Sequence, residues 1–470
     1  MDTKQLRQKI LDLAIRGKLV PQDPNDEPAS VLLERVKAEK ERLIEEGKIK
    51  RSKKSAASSD KPHYPFEIPN NWVWTTLREI SNYGTCINVA VEDIPAESWV
   101  LELEDLEKDT ARLIQRLKKG ERDIKGVRHR FEKGNILYSK LRTYLNKVLV
   151  ADNPGFCTTE IIPFSLFSGI SEFYINLVLR SKYFVDYTIQ CGFGVKMPRL
   201  STSDANSGQI PLPPLNEQKR IVDKVELLLS IADSIEQEKF DLLKSASKLM
   251  NHILELAISG KLVPQDPNDE PAIELLKRVN PNAVVSTDTS HYKFDTPNNW
   301  IISQLGSLFN HNTGKALNRS NQEGRMLDYI TTSNLYWDRF ELNNLKQMPF
   351  KDSEIDKCTI IKGDLLVCEG GDVGRAAIWN YDSSICIQNH IHRLRPIDNH
   401  LVFPRFYYYC FLLYKQQNLI GGKGIGIQGL SSNQLHKVVF PLPSLNEQKR
   451  IASKVDELFA VIDQIQQSLE

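Results

Sequence analysis

Apolar residues recur in alternating steps of four and three through the middle of the chain: Ile221, Val225, Leu228, Ala232, Ile235, Leu242, Ala246, Leu249, Ile253 and Leu256, with only Lys239 breaking the row. This 3.5-residue period is that of a coiled-coil seam, and it predicts one long helix within Pro211–Gly260. Pro213 and Pro214 stop the preceding segment, Asn216 is placed as the N-cap, and Glu217 lies in the first turn, where the helix dipole favours it. Gly260 is placed to close the helix in the left-handed conformation. At 1.5 Å per residue such a helix runs roughly 65 Å, more than a compact core needs. It reads as a spacer.

A partner for that seam exists in two pieces. The last segment, PLPSLNEQKRIASKVDELFAVIDQIQQSLE from Pro441, repeats the first half of the central helix, with Ile451, Val455, Leu458, Ile462, Ile465 and Leu469 on its seam. The first segment, ILDLAIRGKLVPQDPNDEPA from Ile10, repeats the second half from Ile253, so that Leu6, Ile10 and Leu13 match Leu249, Ile253 and Leu256. Two long apolar seams in water need each other. The expected arrangement is cyclic: the ends of the chain meet and together form a second long helix antiparallel to the first.

The globular parts repeat at the same domain-sized period. Tyr64, Pro69, Asn70, Asn71 and Trp72 match Tyr292, Pro297, Asn298, Asn299 and Trp300, and Lys133, Gly134 and Leu137 match Lys362, Gly363 and Leu366. Between these landmarks the copies share little. The expected order is a helical segment (1–46), a basic Ser/Ala-rich linker (47–63), a first domain (64–212), the central helical region (213–279), a short linker (280–291), a second domain (292–442) and a last helix (443–470). Within the first domain, Trp72–Leu77, Ser98–Leu103, Ile136–Leu141 and Lys147–Val150 have strand character and Phe173–Tyr187 reads as a helix. The second domain repeats the plan, with strands at Leu365–Cys368, Ala376–Trp379 and Ile385–Leu394 and a helix at Pro404–Tyr414. The fold class expected is α+β: two globular domains separated by two long antiparallel helices in a pseudo-twofold repeat. Identical helical surfaces suggest two copies of one partner; different domain surfaces suggest two different ligands.

Composition fits a soluble, cytoplasmic protein. The net charge of +1 argues neither for nor against nucleic acid, and the seven cysteines show no paired spacing that would suggest disulfides or a zinc ribbon. No 18-residue apolar stretch or signal sequence is visible, so no membrane contact is expected.

Catalytic signatures are lacking. No Asp/Asn-Pro-Pro-Tyr/Phe segment occurs, Gly421–Gly426 lacks the spacing of a phosphate loop, and the carboxylates form no nuclease constellation. His390 and His392 alternate along an expected strand, which would put both on one face, but no third ligand accompanies them and no metal site is expected. Binding features are stronger. Ser139–Lys147 gathers Lys140, Arg142, Tyr144, Asn146 and Lys147 between two strands, and Cys191–Arg199 adds Lys196 and Arg199 in a Gly-rich loop. The second domain offers Lys315, Asn318, Arg319 and Arg325, then Arg375 in GGDVGR and Lys423 in GGKGIG. Cations suit phosphates, Arg and Asn make bidentate contacts with guanine and adenine edges, and glycines let backbone N–H groups approach phosphate.

The doubled helix start (PLPPLNEQKRI and PLPSLNEQKRI), the recurring KG-(N/D)-(I/L)-L motif and the doubled ILDLAIRGKLVPQDPNDEPA resemble the specificity subunits of type I restriction–modification systems over essentially the whole chain. The resemblance implies two target-recognition domains, each reading one half of an asymmetric bipartite site in double-stranded DNA. It implies helices that fix the gap between half-sites and dock two modification subunits, with Ile221, Val225, Leu228, Leu249, Ile253, Ile451, Val455, Leu458, Ile10 and Leu13 as the spacer set. It further implies a chain that is not itself an enzyme. S-adenosylmethionine, ATP and magnesium would belong to the modification and restriction subunits, and none to this chain. Two other readings stand beside it: an autonomous DNA methyltransferase or nuclease, and a scaffold that does not touch DNA.

Overall fold

The structure, a computed structural model, describes residues 2–49, 65–194, 196–286, 292, 294–317, 323–420 and 430–469. Among these the chain divides into two compact units, Met1–Glu238 and Lys239–Glu470. The central helix, Leu215–Ile258, contributes its first half to one unit and its second half to the other over 44 residues. It starts at Leu215, so Asn216 is not the cap as expected but lies in the first turn, where its amide donates to Asp26. Gly260 has the expected left-handed backbone, φ 68°, and a Cβ there would strike Pro297 at 2.5 Å.

In the first unit the amino-terminal helix Thr3–Ile15 packs on the first half of the central helix: Ile10, Leu11, Ile221 and Val225 share one core, with Leu6 and Leu228 at its edge. The direction of pairing is antiparallel. Arg7 pairs with Asp233 and Glu236, whereas Gln22 and Asp26, further along the chain, pair with Glu217 and Arg220, further back along the helix. In the second unit the carboxy-terminal helix Leu445–Leu469 does the same with the second half. Ile451, Val455 and Ile462 share a core with Ala246, Ile253, Leu254 and Ala257.

The seam departs from the strict heptad at three expected positions, two of which, Leu242 and Ile465, are 45% and 44% exposed. Leu249, an expected spacer contact, is 50% exposed, while Ala246, Ile253 and Ala257 are buried and Met250 packs against them. Along this stretch one row of the seam, Ala232, Ala246 and Ile253, faces inward, while the alternate row of Leu242 and Leu249 faces outward. Leu13 and Leu458 are half-buried.

The first domain hangs from a two-stranded clamp in which Val73–Thr76 pairs antiparallel with Gln209–Leu212, so entry and exit lie together at the start of the central helix. Inside it are a four-stranded sheet (order Ile87–Ala90, Val127–Phe131, Gly155–Thr158, Val100–Leu101) and a three-stranded one (Val148–Val150, Ile136–Ser139, Ile161–Phe164). The helix expected over Phe173–Tyr187 is two, Glu172–Arg180 and Lys182–Cys191, broken where the Ser181 side chain caps the second by accepting from Phe184 N–H. The second domain has the matching clamp, Ile301–Gln304 with Val439–Leu442, and two four-stranded sheets. Its expected strand Ile385–Leu394 is likewise two, Ile385–Ile387 and Ile391–Pro396, each in a different sheet. Helix Pro404–Gln416 buries Phe406, Tyr407, Tyr409, Phe411 and Tyr414.

Identical residues make identical fastenings. Gln265 donates to Glu447 as Gln22 does to Glu217, and Arg450 holds Asp269 at 2.6 Å as Arg220 holds Asp26 at 2.6 Å. Burial pushes the carboxyls of Glu217 and Glu447 up, against the hydrogen bonds that Gln22 gives the first and Trp300 and Gln265 give the second. Repeated sequence thus goes into the mounting of each domain on its helix.

Candidate nucleic-acid interface

In the first domain, strand Ile136–Ser139 runs into Lys140–Leu141–Arg142, which is stitched on both sides: Lys140 N–H donates to Glu160, Leu200 N–H to Lys140, and Arg142 N–H to Pro198. Arg142 and Asn146 both adopt left-handed backbone, φ 51° and 54°, around the single turn Thr143–Leu145. Such a conformation is unusual for arginine and needs surroundings that enforce it. The turn presents Tyr144, 45% exposed.

The expected DNA contacts in this loop divide. Asn146 is buried and its amide donates to Arg180 O at 2.9 Å. Lys147 Nζ donates to Leu103 O at 2.6 Å, and burial lowers its pKa. Arg199 forks onto Glu160 at 3.0 and 3.2 Å. These three hold the loop. Lys140 and Arg142 are half-buried with no ion pair among the described residues, and Lys196 is exposed near the Phe193–Arg199 bridge, with Phe193 and Met197 exposed beside it. The surface left for a ligand in this region is Tyr144, Lys196 and their neighbours.

In the second domain, Lys315 is interior. Its Nζ donates to Glu354 and to Pro349 O, each at 2.7 Å, beside the Phe350 ring. Gly314 admits the backbone of a neighbouring strand, since a Cβ there would meet Ile387 O at 2.0 Å. Arg325 is exposed and paired with Asp352 at 2.9 Å. Arg375 donates to Thr332 O at 2.6 Å and lies 5.3 Å from the Tyr336 ring. Asn318, Arg319 and Lys423 lie outside the described residues. His390 and His392 do not share a face. His390 is exposed, whereas His392 is buried, bonded to His311 at 2.8 Å and to Leu430 O at 2.5 Å. Among the described residues no group of His, Cys, Asp and Glu is arranged to hold a metal, and no helix is long and apolar enough to cross a membrane.

Sequence reasoning missed the Leu335–Phe340 hairpin. Tyr336 and Arg339 face each other across it, Asp338 turns it at φ 54°, and Tyr336 stands between the guanidiniums of Arg339 (5.0 Å) and Arg375 (5.3 Å). Arg339 is exposed and has no carboxylate partner among the described residues. An exposed ring flanked by two cations suits a polyanion with planar bases. The signal available was Tyr-Trp-Asp-Arg in a polar stretch between strands.

Two unlike domains, each clamped to one half of a long paired helix and each carrying loops with exposed aromatic and basic residues, define a two-headed DNA-specificity protein. The chain belongs to the family described as the type I restriction modification DNA specificity domain, which matches it twice, over residues 69–245 and 297–470. It is 28% identical to the specificity subunit of the type I restriction enzyme EcoAI of Escherichia coli, over 98% of this chain and 90% of that one. It is also 28% identical to the EcoEI specificity subunit of Escherichia coli, over 99% and 91%. The fold is that of the HsdS subunit from Thermoanaerobacter tengcongensis (TM-score 0.55, 17% identity, 86% of this chain and 93% of that one). It is also that of a chain solved in work on complex assembly and conformational transition of the type I R-M system (TM-score 0.63, 18% identity, 86% and 94%).

Proposed function

We propose that this specificity subunit reads an asymmetric two-part site in double-stranded DNA, one part per domain, and carries no catalytic step itself. The observation that carries the reading is the contrast between its halves: matching clamps, fastenings and helix starts in both units, but different residues on the exposed loops. Equivalent mounts favour two copies of one partner, a modification subunit, and unlike loops favour two different half-sites. Major-groove edges distinguish all four base pairs, and exposed cations such as Lys196 and Arg339 would set register on phosphates. S-adenosylmethionine, ATP and magnesium would reside on the modification and restriction subunits. Such an assembly would work in the cytoplasm.

The test is to co-express the chain with its modification subunits and map methylated adenines across the host genome. A single two-part motif with a constant gap is expected, and replacing residues 64–212 by the corresponding domain of another specificity subunit should change one half only. Methylation or cleavage by the purified chain alone would overturn the non-catalytic reading, and a palindromic motif would overturn the two-reader reading.

A further inference from the structure

Among the described residues, the second domain hydrogen-bonds to the carboxy-terminal helix at two places. The first is the start of the helix, where Trp300 donates to Glu447 at 2.8 Å and Gln448 accepts from Phe403 N–H at 3.0 Å. The second is Asp456, nine residues on, or about 13 Å along the axis. There Arg405 donates to Asp456 through Nε at 3.1 Å and Nη2 at 2.6 Å, and the Tyr409 hydroxyl donates to the same carboxylate. The remaining arm of Arg405 reaches Asp338 at the hairpin tip, 2.5 Å away. Its guanidinium lies 4.9 Å from each of the Tyr408 and Tyr409 rings, and Trp337 of the hairpin packs edge-on to Tyr408. One cation therefore joins the Pro404–Gln416 helix, the Leu335–Phe340 hairpin and the carboxy-terminal helix. Apolar packing, in which Tyr409 meets Phe459 edge-on at 5.9 Å, holds the domain against this helix but is non-directional, and the arginine adds bonds of fixed direction to it. The planar fork of arginine can serve two carboxylates in fixed directions, which an ammonium cannot.

The first unit has the same device built from other residues. Its hairpin at the equivalent place, closed by the Leu106–Leu113 bridge, turns at Asp109 (φ 66°). Lys4 of the amino-terminal helix pairs with Asp109 at 3.1 Å, and Arg180 donates to Thr110 O at 2.7 Å. Each domain thus ties this hairpin to the terminal helix packed in its own unit, although the residues differ.

We propose that Arg405 is a positioning residue that fixes the bearing of the second domain on the carboxy-terminal helix and thereby restricts the gap lengths the complex accepts. The proposal rests on the reading of two half-sites at a set spacing. It is tested in the complex with modification subunits by comparing wild type with Arg405→Ala, Arg405→Lys and Asp338→Asn, reading methylated adenines genome-wide. Arg405→Ala should leave both half-site sequences as they are while methylation at gaps one base pair longer or shorter rises at least tenfold. Asp338→Asn, which keeps the helix contact, should show the same change more weakly, and Arg405→Lys should restore only part of the discrimination. If Arg405→Ala fails to assemble, Asp338→Asn carries the readout. An unchanged gap distribution in assembled variants overturns the proposal, as does loss of the second half-site sequence. A wild-type complex that methylates no two-part site would instead fail the reading beneath it.

Discussion

Trp300 donates its indole N–H to Glu447 at 2.8 Å, joining the first residues of the second domain to the first turn of the carboxy-terminal helix. Glu447 also accepts from Gln265, and its side chain is fully buried. Glu447→Ala leaves the buried indole N–H of Trp300 without its acceptor, at a cost of about 1–3 kcal/mol where water cannot reach, whereas the exposed Gln265 amide keeps Gly260 O. Thermal unfolding of the full chain should show a fall of several degrees, and indole fluorescence of the second unit should shift to the red. An unchanged midpoint would show that this bond does not hold the domain to its helix.

Asp26 and Asp269 give an acid limb. The side-chain bonds of Arg220 and Arg450 hold their carboxyls below the usual 3.8, against burial. A carboxyl bound more weakly to protons in the fold than in the unfolded chain contributes stability above pH 3.8 and loses it as pH falls through the folded value. Asp269→Asn should therefore destabilise the chain at neutral pH, with the gap to wild type closing as the pH drops below that point. Denaturant titrations at a series of pH values measure it. A difference that is constant with pH would refute the linkage.

The histidines of the second domain act earlier. Burial pulls His311 down from 6.5 to about 4, helped by His392, His436 and Arg393, and burial also lowers His392. These rings are neutral in the fold and charged when unfolded below pH 6.5, so the unfolded state gains protons first. Stability should decline as pH falls from 6.5 toward about 4. In His311→Asn the decline should be shallower. Histidine C–H resonances followed by NMR give the pKa directly, and an ordinary value for His311 would defeat the argument.

The helices were legible in the sequence because long apolar periodicity and exact internal repetition are both written in it. Ile10, Ile221, Val225, Ile253, Ile451 and Val455 are buried as the period demands. Leu242, Leu249 and Ile465 are exposed although they keep the period, because periodicity shows which residues share a stripe and not how much of that stripe a neighbour covers. Short strands were harder: Ile87–Ala90 and Gly155–Thr158 are four residues each, with partners distant in sequence. The expected DNA contacts divided because residue type does not reveal whether a cation faces solvent or a neighbour. Lys147, Arg199 and Lys315 carry the charge a phosphate contact needs, but each directs it to a carbonyl or carboxylate of its own domain. Tyr336 and Arg339 gave only a weak signal, since their significance arises from a turn that brings Arg375 alongside.

Arg339 is exposed and has no carboxylate partner among the described residues, which makes it a candidate for phosphate contact in the second domain. Arg339→Ala should weaken binding of the assembled complex across all sequences and lower the slope of log K against log salt by about one. Fluorescence anisotropy on specific and scrambled duplexes from low to high salt gives both quantities. A loss confined to the specific duplex, with the slope unchanged, would place Arg339 on a base edge.

Spacing offers a separate lever. Seven residues inserted after Glu238 keep the apolar stripe in phase and lengthen the central helix by about 10 Å, or roughly three base pairs of duplex. If the helix sets the gap, the inserted complex should methylate the same two half-sites at a gap longer by about that amount, while a two-residue insertion, which turns the stripe by roughly 200°, should abolish assembly. Methylation at the original gap would show that the separation of the half-sites is fixed elsewhere, because no rigid rod can gain two turns and leave the distance between its ends unaltered.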